Sequence, residues 1–307
     1  MTTKITNNKN GQINIILDNH KVTNHLNERN HLFKKNPFSH IDEAFSSIVG
    51  MSALKEKIQE IYATIIINKK RSESGLHCQK QVLHMLFKGN PGTGKTTVAR
   101  KLAKIYQSLN LLSKGHLIEA ERADLVGEYI GQTAQKTRAI IQKSLGGILF
   151  IDEAYSLARG GEKDFGKEAI DTLVKHMEDH QQDFVLILAG YPNEMEQFLT
   201  LNPGLKSRFP FILDFPNYNI NQLMEIAKKM VTDREYKLTK EAAWKLKILL
   251  SKQIDEERKN FSNGRFVRNV IECAIRNHAV RLLYHTDWTM DDLIYITEED
   301  IIFHDLK

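Results

Sequence analysis

A glycine-rich stretch that ends in lysine and threonine carries the clearest chemistry in this sequence. It runs Gly89-Asn90-Pro91-Gly92-Thr93-Gly94-Lys95-Thr96, continues into Thr97, and fits the pattern G-x-x-x-x-G-K-[ST]. Its glycines let consecutive backbone N–H groups turn towards a polyphosphate, and the lysine can reach the β- and γ-oxygens. The threonine hydroxyl that follows is placed to bind Mg²⁺. The stretch therefore predicts a site for a nucleoside triphosphate.

Two neighbouring carboxylates, Asp152 and Glu153, form the second chemical feature. They follow Gly147-Ile148-Leu149-Phe150-Ile151, and such an apolar run is typical of a parallel strand buried on both faces. The functional groups of parallel sheets gather where the strands end. We expect Asp152 to hold Mg²⁺ through water and Glu153 to orient and activate the attacking water. Together with the glycine-rich stretch, the pair predicts hydrolysis of a γ-phosphate.

The elements needed to position these residues alternate between strands and helices. The predicted strands are 82–87, 117–120, 147–151, 184–190 and 211–215, and the helix after the glycine-rich stretch is predicted over 97–106. A further helix begins at Ser52, and its apolar stripe consists of Leu54, Ile58, Ile61 and Ile65. This alternation predicts a doubly wound α/β domain over residues 37–215.

The two ends of the chain differ from that domain. After Pro216, apolar residues such as Leu223, Ala227 and Met230 recur at helical spacing, which predicts a small helical domain over 216–307. Residues 1–36 are rich in Asn and Lys, and this composition predicts a flexible extension, with a docking arm for a partner as the alternative. The net charge of +5 comes mostly from this extension, which has six basic and two acidic residues. The nearly neutral remainder disfavours a dedicated nucleic-acid clamp.

Cysteine usage and hydropathy indicate the compartment. Cys78 and Cys273 are the only cysteines and form no C-x-x-C pair, which disfavours a disulfide framework or a zinc site. No apolar run approaches the roughly 18 residues that a membrane span needs. The charged N-terminus has no apolar segment of the secretory type. We therefore expect a protein of the reducing cytoplasm, without a membrane span.

These landmarks together resemble the AAA+ ATPases, and within them the family of CbbX and stage V sporulation protein K, with the greater likeness to the sporulation branch. The likeness covers roughly residues 40–307 and is most specific in 127–134, 150–155, 188–191 and 202–209. It implies an α/β P-loop NTPase domain, with a parallel sheet between helices, followed by a small helical lid. It also implies ATP and Mg²⁺ as ligands and a homo-oligomeric ring, expected to be a hexamer. Such a ring would remodel or thread a protein partner, here in endospore formation.

The resemblance assigns roles to individual residues. Arg208 matches the arginine finger that reaches the γ-phosphate held by a neighbouring subunit. Arg265 matches the lid arginine called sensor 2, for which Arg268 is a rival. Val49-Gly50 matches the stretch whose backbone contacts adenine, and Tyr129-Ile130-Gly131 matches the pore loop that grips a substrate polypeptide. The implied catalytic set is Lys95, Glu153 and Arg208.

One position departs from the family pattern. Many relatives place an asparagine just past the fourth core strand as sensor 1, whereas this chain has Gly190-Tyr191-Pro192-Asn193. The sensor 1 role therefore stays open between Tyr191 and Asn193.

Three other functions are alternatives to a protein-remodelling ring. A DNA-directed AAA+ ATPase of the clamp-loader or branch-migration type would need a basic patch or an added DNA-binding module. A GTPase would need the motif N-K-x-D, and Asn68-Lys69-Lys70-Arg71 lacks the aspartate. A small-molecule kinase would not need Arg208 or Tyr129 in the roles that the family implies.

Overall fold

The computed structural model describes residues 3–7, 13–17, 36–78, 81–160, 164–256, 261–284 and 287–302. The chain divides into two compact units, residues 1–44 and 45–307. In the first unit, β1 (Thr3–Asn7) pairs antiparallel with β2 (Ile13–Leu17), and α1 (Ser39–Phe45) begins. The other residues before 36 lie outside the described part of the chain. The flexibility of the N-terminal extension therefore stays a prediction.

A five-stranded parallel sheet lies at the centre of the second unit. Its strands are β3 (Met85–Gly89), β4 (Leu117–Ala120), β5 (Ile148–Ile151), β6 (Val185–Gly190) and β7 (Phe211–Phe215). Their order across the sheet is β4-β5-β6-β3-β7, and neighbouring strands all pair in parallel. The carboxyl ends of the strands therefore meet at one edge, where the site residues were expected.

Helices cover this sheet. They are α2 (Ser52–Glu73), α3 (Lys95–Ser108), α4 (Arg122–Leu125), α5 (Gln132–Ser144), α6 (Gly166–Asp179), α7 (Pro192–Leu201) and α8 (Pro203–Lys206). A short 3₁₀ helix, Ala154–Ala158, follows β5. Helix α2 buries the stripe that the sequence predicts, and β5 and β6 are buried at every position. The apolar pattern therefore reflects strands covered on both faces.

The first core strand begins later than the sequence predicts. Strand pairing starts at Met85, which lies opposite Ile187 and Phe211, and not at residue 82. One residue earlier, the Nδ1 atom of buried His84 accepts a hydrogen bond of 3.0 Å from the backbone N–H of Leu186. Burial lowers the pKa of His84 to about 4, so the ring is neutral and can accept this bond. Just before β3, the side chain of His84 thus takes the place of a backbone hydrogen bond between strands.

A helical lid follows the sheet. It contains α9 (Ile220–Thr232), β8 (Lys237–Leu238), α10 (Lys240–Glu256), α11 (Asn263–Leu283), α12 (Met290–Ile294) and β9 (Tyr295–Ile296). Its helices bury apolar side chains at helical spacing, among them Leu223, Ala227, Leu246, Val267 and Ile271. The two-residue strands β8 and β9 pair in parallel, which the helical pattern did not predict. None of the described helices is long and apolar enough to cross a membrane.

A buried ion pair fixes the end of the lid to α11. Asp300 is 1% exposed, and Arg281 donates from Nε and Nη2 to its two carboxylate oxygens at 2.8 and 2.9 Å. Burial by itself would raise the pKa of Asp300, but the hydrogen bonds from Arg281 and Thr297 hold the pKa below its ordinary value. The last described segment is therefore attached by a charge pair as well as by packing.

Candidate active site

A cleft of about 630 Å³ opens between the carboxyl edge of the sheet and the lid. The predicted site residues that line it are Val49, Pro91, Gly92, Gly94, Lys95, Thr96, Thr97, Asp152, Glu153 and Arg265. Gly50, Asn90 and Thr93 do not line it. Thr93 is fully buried, and its hydroxyl donates a hydrogen bond of 2.8 Å to the carbonyl oxygen of Asn90. This hydrogen bond therefore stabilises the conformation of the loop through two of its residues that do not line the cleft.

The glycine-rich stretch has the geometry of an anion-binding loop. Gly92 and Gly94 have φ values of 68° and 93°, in the left-handed region that glycine adopts without steric cost. Gly94 directly precedes α3, which begins at Lys95 and not at residue 97 as predicted. The loop therefore ends at the N-terminus of a 14-residue helix, where backbone N–H groups and the helix dipole favour a phosphate.

Lys95 is buried against this loop. Its Nζ atom donates hydrogen bonds to the carbonyl oxygens of Gly89 and Asn90, at 2.8 and 3.0 Å. Burial lowers the pKa of Lys95, the negative charge of Asp152 opposes that shift, and the positive charge of Arg265 adds to it. The cleft thus brings two cationic side chains close to the acidic pair, a mixture suited to a polyphosphate with a metal ion.

The acidic pair sits on an unusual turn of the backbone. Glu153 follows β5 with φ 46° and ψ 42°, and its N–H donates to the Oδ1 atom of Asp152 at 3.0 Å. A left-handed conformation costs a residue with a side chain roughly 1–2 kcal/mol. Strain of this kind concentrates at functional sites. The turn leaves Asp152 half-buried and Glu153 exposed, and both line the cleft.

The oxygen donors of the cleft fit a magnesium ion. Thr96 offers a hydroxyl and Asp152 a carboxylate, and both line the cleft. Mg²⁺ commonly takes one or two protein ligands and completes its octahedron with substrate phosphates and water. In the described parts of the chain, no group of three or more His, Cys, Asp or Glu residues could hold a metal by itself. The donor set therefore matches a metal shared with a nucleotide.

The two residues left open for sensor 1 differ in position. Tyr191 lines the cleft, whereas Asn193 is exposed in the first turn of α7 and does not line it. The ring centroid of Tyr191 lies 6.0 Å from that of Tyr155. Burial and the charge of Glu153 raise the pKa of Tyr191, so its phenol keeps its proton and can donate. The geometry therefore favours Tyr191.

The predicted arginine finger and pore loop lie outside the cleft. Arg208 donates hydrogen bonds to the carboxylate of Glu178 on α6 and to the carbonyl oxygen of Gly204. Tyr129 and Ile130 are 68% and 90% exposed, and Gly131, with φ 84°, precedes α5. None of these residues lines the cleft of its own chain.

Two residues that contact the phosphate loop were missed by the sequence patterns. The hydroxyl of Tyr218 donates to the carbonyl oxygen of Thr93 at 3.2 Å. Asn263, fully buried, donates to the carbonyl oxygen of Pro91 at 3.3 Å. The only sequence signal was that Asn263 precedes a glycine, and Asn-Gly pairs mark special backbone conformations. Arg268 lines the cleft beside Arg265, so geometry leaves both as candidates for sensor 2.

The fold and the cleft define a class of protein. The phosphate loop between β3 and α3, the acidic pair after β5 and the helical lid together are features of P-loop ATPases of the AAA type. Residues 85–217 match the ATPase family associated with various cellular activities (AAA), and residues 219–307 match the AAA lid domain. The prediction of a parallel sheet between helices, followed by a helical lid, is confirmed.

Known proteins place the chain more narrowly. It is 60% identical to Stage V sporulation protein K of Bacillus subtilis (strain 168), over 97% of this chain and 95% of that protein. It is 40% identical to CbbX of Cereibacter sphaeroides, over 85% of each protein. A variant of RuvB from Thermotoga maritima superposes with a TM-score of 0.52 at 21% identity, over 81% of this chain and 70% of that one, which shows a shared fold only. The chain belongs to the AAA family, in the branch of stage V sporulation protein K and CbbX, and it is an ATP-hydrolysing enzyme.

Proposed function

We propose that this protein is a Mg²⁺-dependent ATPase that forms a homo-oligomeric ring, expected to be hexameric, and remodels or threads a protein partner in endospore formation. The observation that carries the proposal is the exposure of Tyr129 and Ile130, at 68% and 90%, on the loop before α5. Large apolar side chains exposed together on a loop are typical of contact sites. The identity of 60% to stage V sporulation protein K supports the sporulation context.

The residues of the cleft divide the work on ATP. The loop backbone from Pro91 to Gly94 and the N-terminus of α3 hold the polyphosphate, and Lys95 binds the β- and γ-oxygens. Val49 lines the cleft and, with the adjoining Gly50, offers its backbone to the adenine, as the family resemblance implies. Thr96 and Asp152 would hold Mg²⁺, which would supply charge neutralisation at the phosphate oxygens. Glu153 orients the attacking water and takes its proton, a role supported by its exposed position on the cleft wall.

The proposed site is completed by a second copy of the chain. Arg208 does not line its own cleft, and a head-to-tail ring offers it to the cleft of the neighbouring subunit. A planar guanidinium that is always charged suits the developing negative charge on the γ-phosphate. From the same chain, Tyr191 takes the sensor 1 role and Arg265 the sensor 2 role, with Arg268 as the alternative for the latter.

The proposal includes a cytoplasmic location. Cys78 and Cys273 are free thiols, in keeping with a reducing compartment.

The alternative function is that of a DNA-directed AAA+ ATPase. The similarity to RuvB concerns the fold alone at 21% identity. The small net charge outside the N-terminal extension favours a protein substrate over DNA.

Hydrolysis assays with defined additions test the proposal. ATP turnover by the full chain is measured alone, with casein as an unfolded polypeptide, and with single-stranded DNA; GTP is the comparison nucleotide. We expect casein to stimulate turnover, and Tyr129→Ala to remove the stimulation while basal turnover stays the same. The matched control is Tyr284→Ala, because Tyr284 is also exposed, at 86%, but lies at the end of α11. Stimulation by DNA and not by casein would instead support the DNA-directed alternative.

A further inference from the structure

Three successive carbonyl groups of the phosphate loop accept hydrogen bonds from the lid and the segment that leads into it. The carbonyl oxygen of Pro91 accepts from Nδ2 of Asn263 at 3.3 Å, and that of Gly92 from the backbone N–H of Gly264 at 3.1 Å. The carbonyl oxygen of Thr93 accepts from the hydroxyl of Tyr218 at 3.2 Å. The lid therefore determines where this face of the loop points.

These bonds also orient the opposite face of the loop. In a planar trans peptide, the C=O of one residue and the N–H of the next point in opposite directions. Fixing the carbonyl groups of residues 91–93 towards the lid donors turns the N–H groups of residues 92–94 the other way. Such N–H groups are the ones that a phosphate loop presents to a polyphosphate.

Asn263 is the centre of this network. It is fully buried with φ 48°, a left-handed conformation in which asparagine is enriched among residues with a side chain. Its Nδ2 shares two N–H bonds among three acceptors: the carbonyl oxygen of Pro91, Oδ1 of Asn217 at 2.9 Å and the carbonyl oxygen of Phe261 at 2.8 Å. Its Oδ1 accepts from the backbone N–H of Tyr218 at 2.9 Å. One amide thus connects the loop, the entry to the lid and the start of α11.

The neighbouring groups leave little freedom at this junction. Asn90 of the loop donates to the same Oδ1 of Asn217 at 3.0 Å, which adds a second connection. A Cβ atom at Gly92 would lie 2.1 Å from the carbonyl oxygen of Ser262, so the two backbones are in direct contact. Burial raises the pKa of Tyr218 to about 12, so its hydroxyl keeps its proton at neutral pH and remains a donor.

We propose that Asn263 and Tyr218 are positioning residues of the phosphate site, which hold the peptide planes of residues 91–93 so that the loop N–H groups face the β-phosphate. A displacement of the lid then changes phosphate affinity directly, through backbone geometry, and without a side chain that touches the nucleotide. The inference rests on the proposed role of the loop as the ATP site.

Nucleotide affinity separates this role from a general structural one. Dissociation constants of the full chain for ADP and AMP are measured for the wild type, Tyr218→Phe and Asn263→Gly, together with thermal unfolding without nucleotide. Tyr218→Phe removes one buried hydrogen bond, and we expect ADP binding to weaken about three- to tenfold. Asn263→Gly tolerates the left-handed backbone but removes the network, and we expect a larger loss. AMP, which lacks the β-phosphate, should bind each variant as it binds the wild type.

A third variant tests the donor function of Asn263 itself. Asn263→Asp keeps the size of the side chain but replaces the donor with an acceptor that faces the carbonyl oxygens of Pro91 and Phe261. At neutral pH we expect a loss of ADP affinity at least as large as for Asn263→Gly. At low pH the carboxyl is protonated and can donate, so the affinity relative to wild type at the same pH should partly recover.

The matched control is Tyr236→Phe, because Tyr236 also belongs to the lid, its ring lies edge-on to His278, and it does not line the cleft. It should leave ADP affinity unchanged. Equal ADP affinity in Tyr218→Phe and the wild type would overturn the proposal, and so would equal losses for ADP and AMP together with a lower unfolding temperature. If Lys95→Ala does not weaken ADP binding, the assignment of the loop as the ATP site fails instead. Tyr218→Phe decides the matter if Asn263→Gly does not fold.

Discussion

Replacing Arg208 with alanine should have a large effect on catalysis and a small one on stability. The partner of Arg208 in its own chain is Glu178, and the two side chains are 29% and 54% exposed. Partly exposed ion pairs contribute roughly 0–1 kcal/mol, so the unfolding temperature should fall by only a few degrees. Loss of an arginine finger, in contrast, lowers turnover on the order of 10³-fold, equivalent to about 4 kcal/mol in activation free energy.

The assay compares turnover at saturating ATP with thermal unfolding of the same preparations. The matched control is Arg234→Ala, which removes a similar ion pair, with Glu272, whose side chains are 40% and 42% exposed. We expect the control to show the small loss of stability and wild-type turnover. A large loss of turnover in the control would mean that any broken surface pair impairs the enzyme.

Mixed rings then test whether Arg208 acts on the neighbouring subunit. Arg208→Ala subunits keep an intact cleft, and Lys95→Ala subunits keep an intact arginine. In a random one-to-one mixture of a head-to-tail ring, about a quarter of the interfaces combine an intact cleft with an intact arginine. Turnover should therefore recover to about a quarter of the wild-type rate if the sites are independent. No recovery at any ratio, in rings shown to exchange subunits, would refute action between subunits.

Four further substitutions have expected outcomes. Glu153→Gln should abolish turnover and keep ATP binding, whereas Lys95→Ala should weaken binding itself; both are measured by hydrolysis and equilibrium binding. Tyr129→Ala should change the free energy of unfolding by less than about 1 kcal/mol, because the side chain is 68% exposed and a core aromatic would cost about 3–5 kcal/mol. Arg281→Ala should cost about 3 kcal/mol at neutral pH, because buried Asp300 then loses its charge partner and keeps only its hydrogen bonds from Thr297. The folded pKa of Asp300 is depressed, so the pair stabilises above the unfolded pKa of about 3.9, and the cost should shrink as the pH falls through the folded pKa.

Each of these expectations has an outcome that contradicts it. Turnover of Glu153→Gln within a few-fold of wild type would remove the assignment of Glu153 as the base. Marked destabilisation of Tyr129→Ala would indicate a packing role for that residue. A cost of Arg281→Ala that does not change between neutral and acidic pH, measured by chemical unfolding, would show that the guanidinium contributes by packing and not by charge.

The apolar pattern predicts the sheet well because β5 and β6 are buried on both faces and consist of apolar residues, apart from one glycine. It fails at the start of β3, where the side chain of His84 and not the strand ladder satisfies the N–H of Leu186. A local pattern cannot distinguish a buried residue within a strand from one just before it. It also missed β8 and β9, since pairs of two residues carry no periodicity.

The candidate site divides in the same way. Short motifs revealed Lys95, Asp152 and Glu153, because their chemistry depends on neighbours within a few positions. Asn263 was missed, because its hydrogen bond to Pro91 spans 172 positions and its left-handed backbone is a property of the folded chain. Tyr191 could be distinguished from Asn193 only after α7 had placed the asparagine outside the cleft.

The left-handed backbone of Glu153 sets the stability of the fold against the proposed catalytic role of this residue. Glycine would relieve roughly 1 kcal/mol of steric cost there, with part of that gain offset by the greater freedom of the unfolded chain. Selection for thermal stability alone would therefore not retain the glutamate. A screen of variants at this position that scores only the folded fraction should rank glycine at or above the natural residue, although glycine has no carboxylate to activate water. Attempts to stabilise this protein should therefore keep residue 153 fixed.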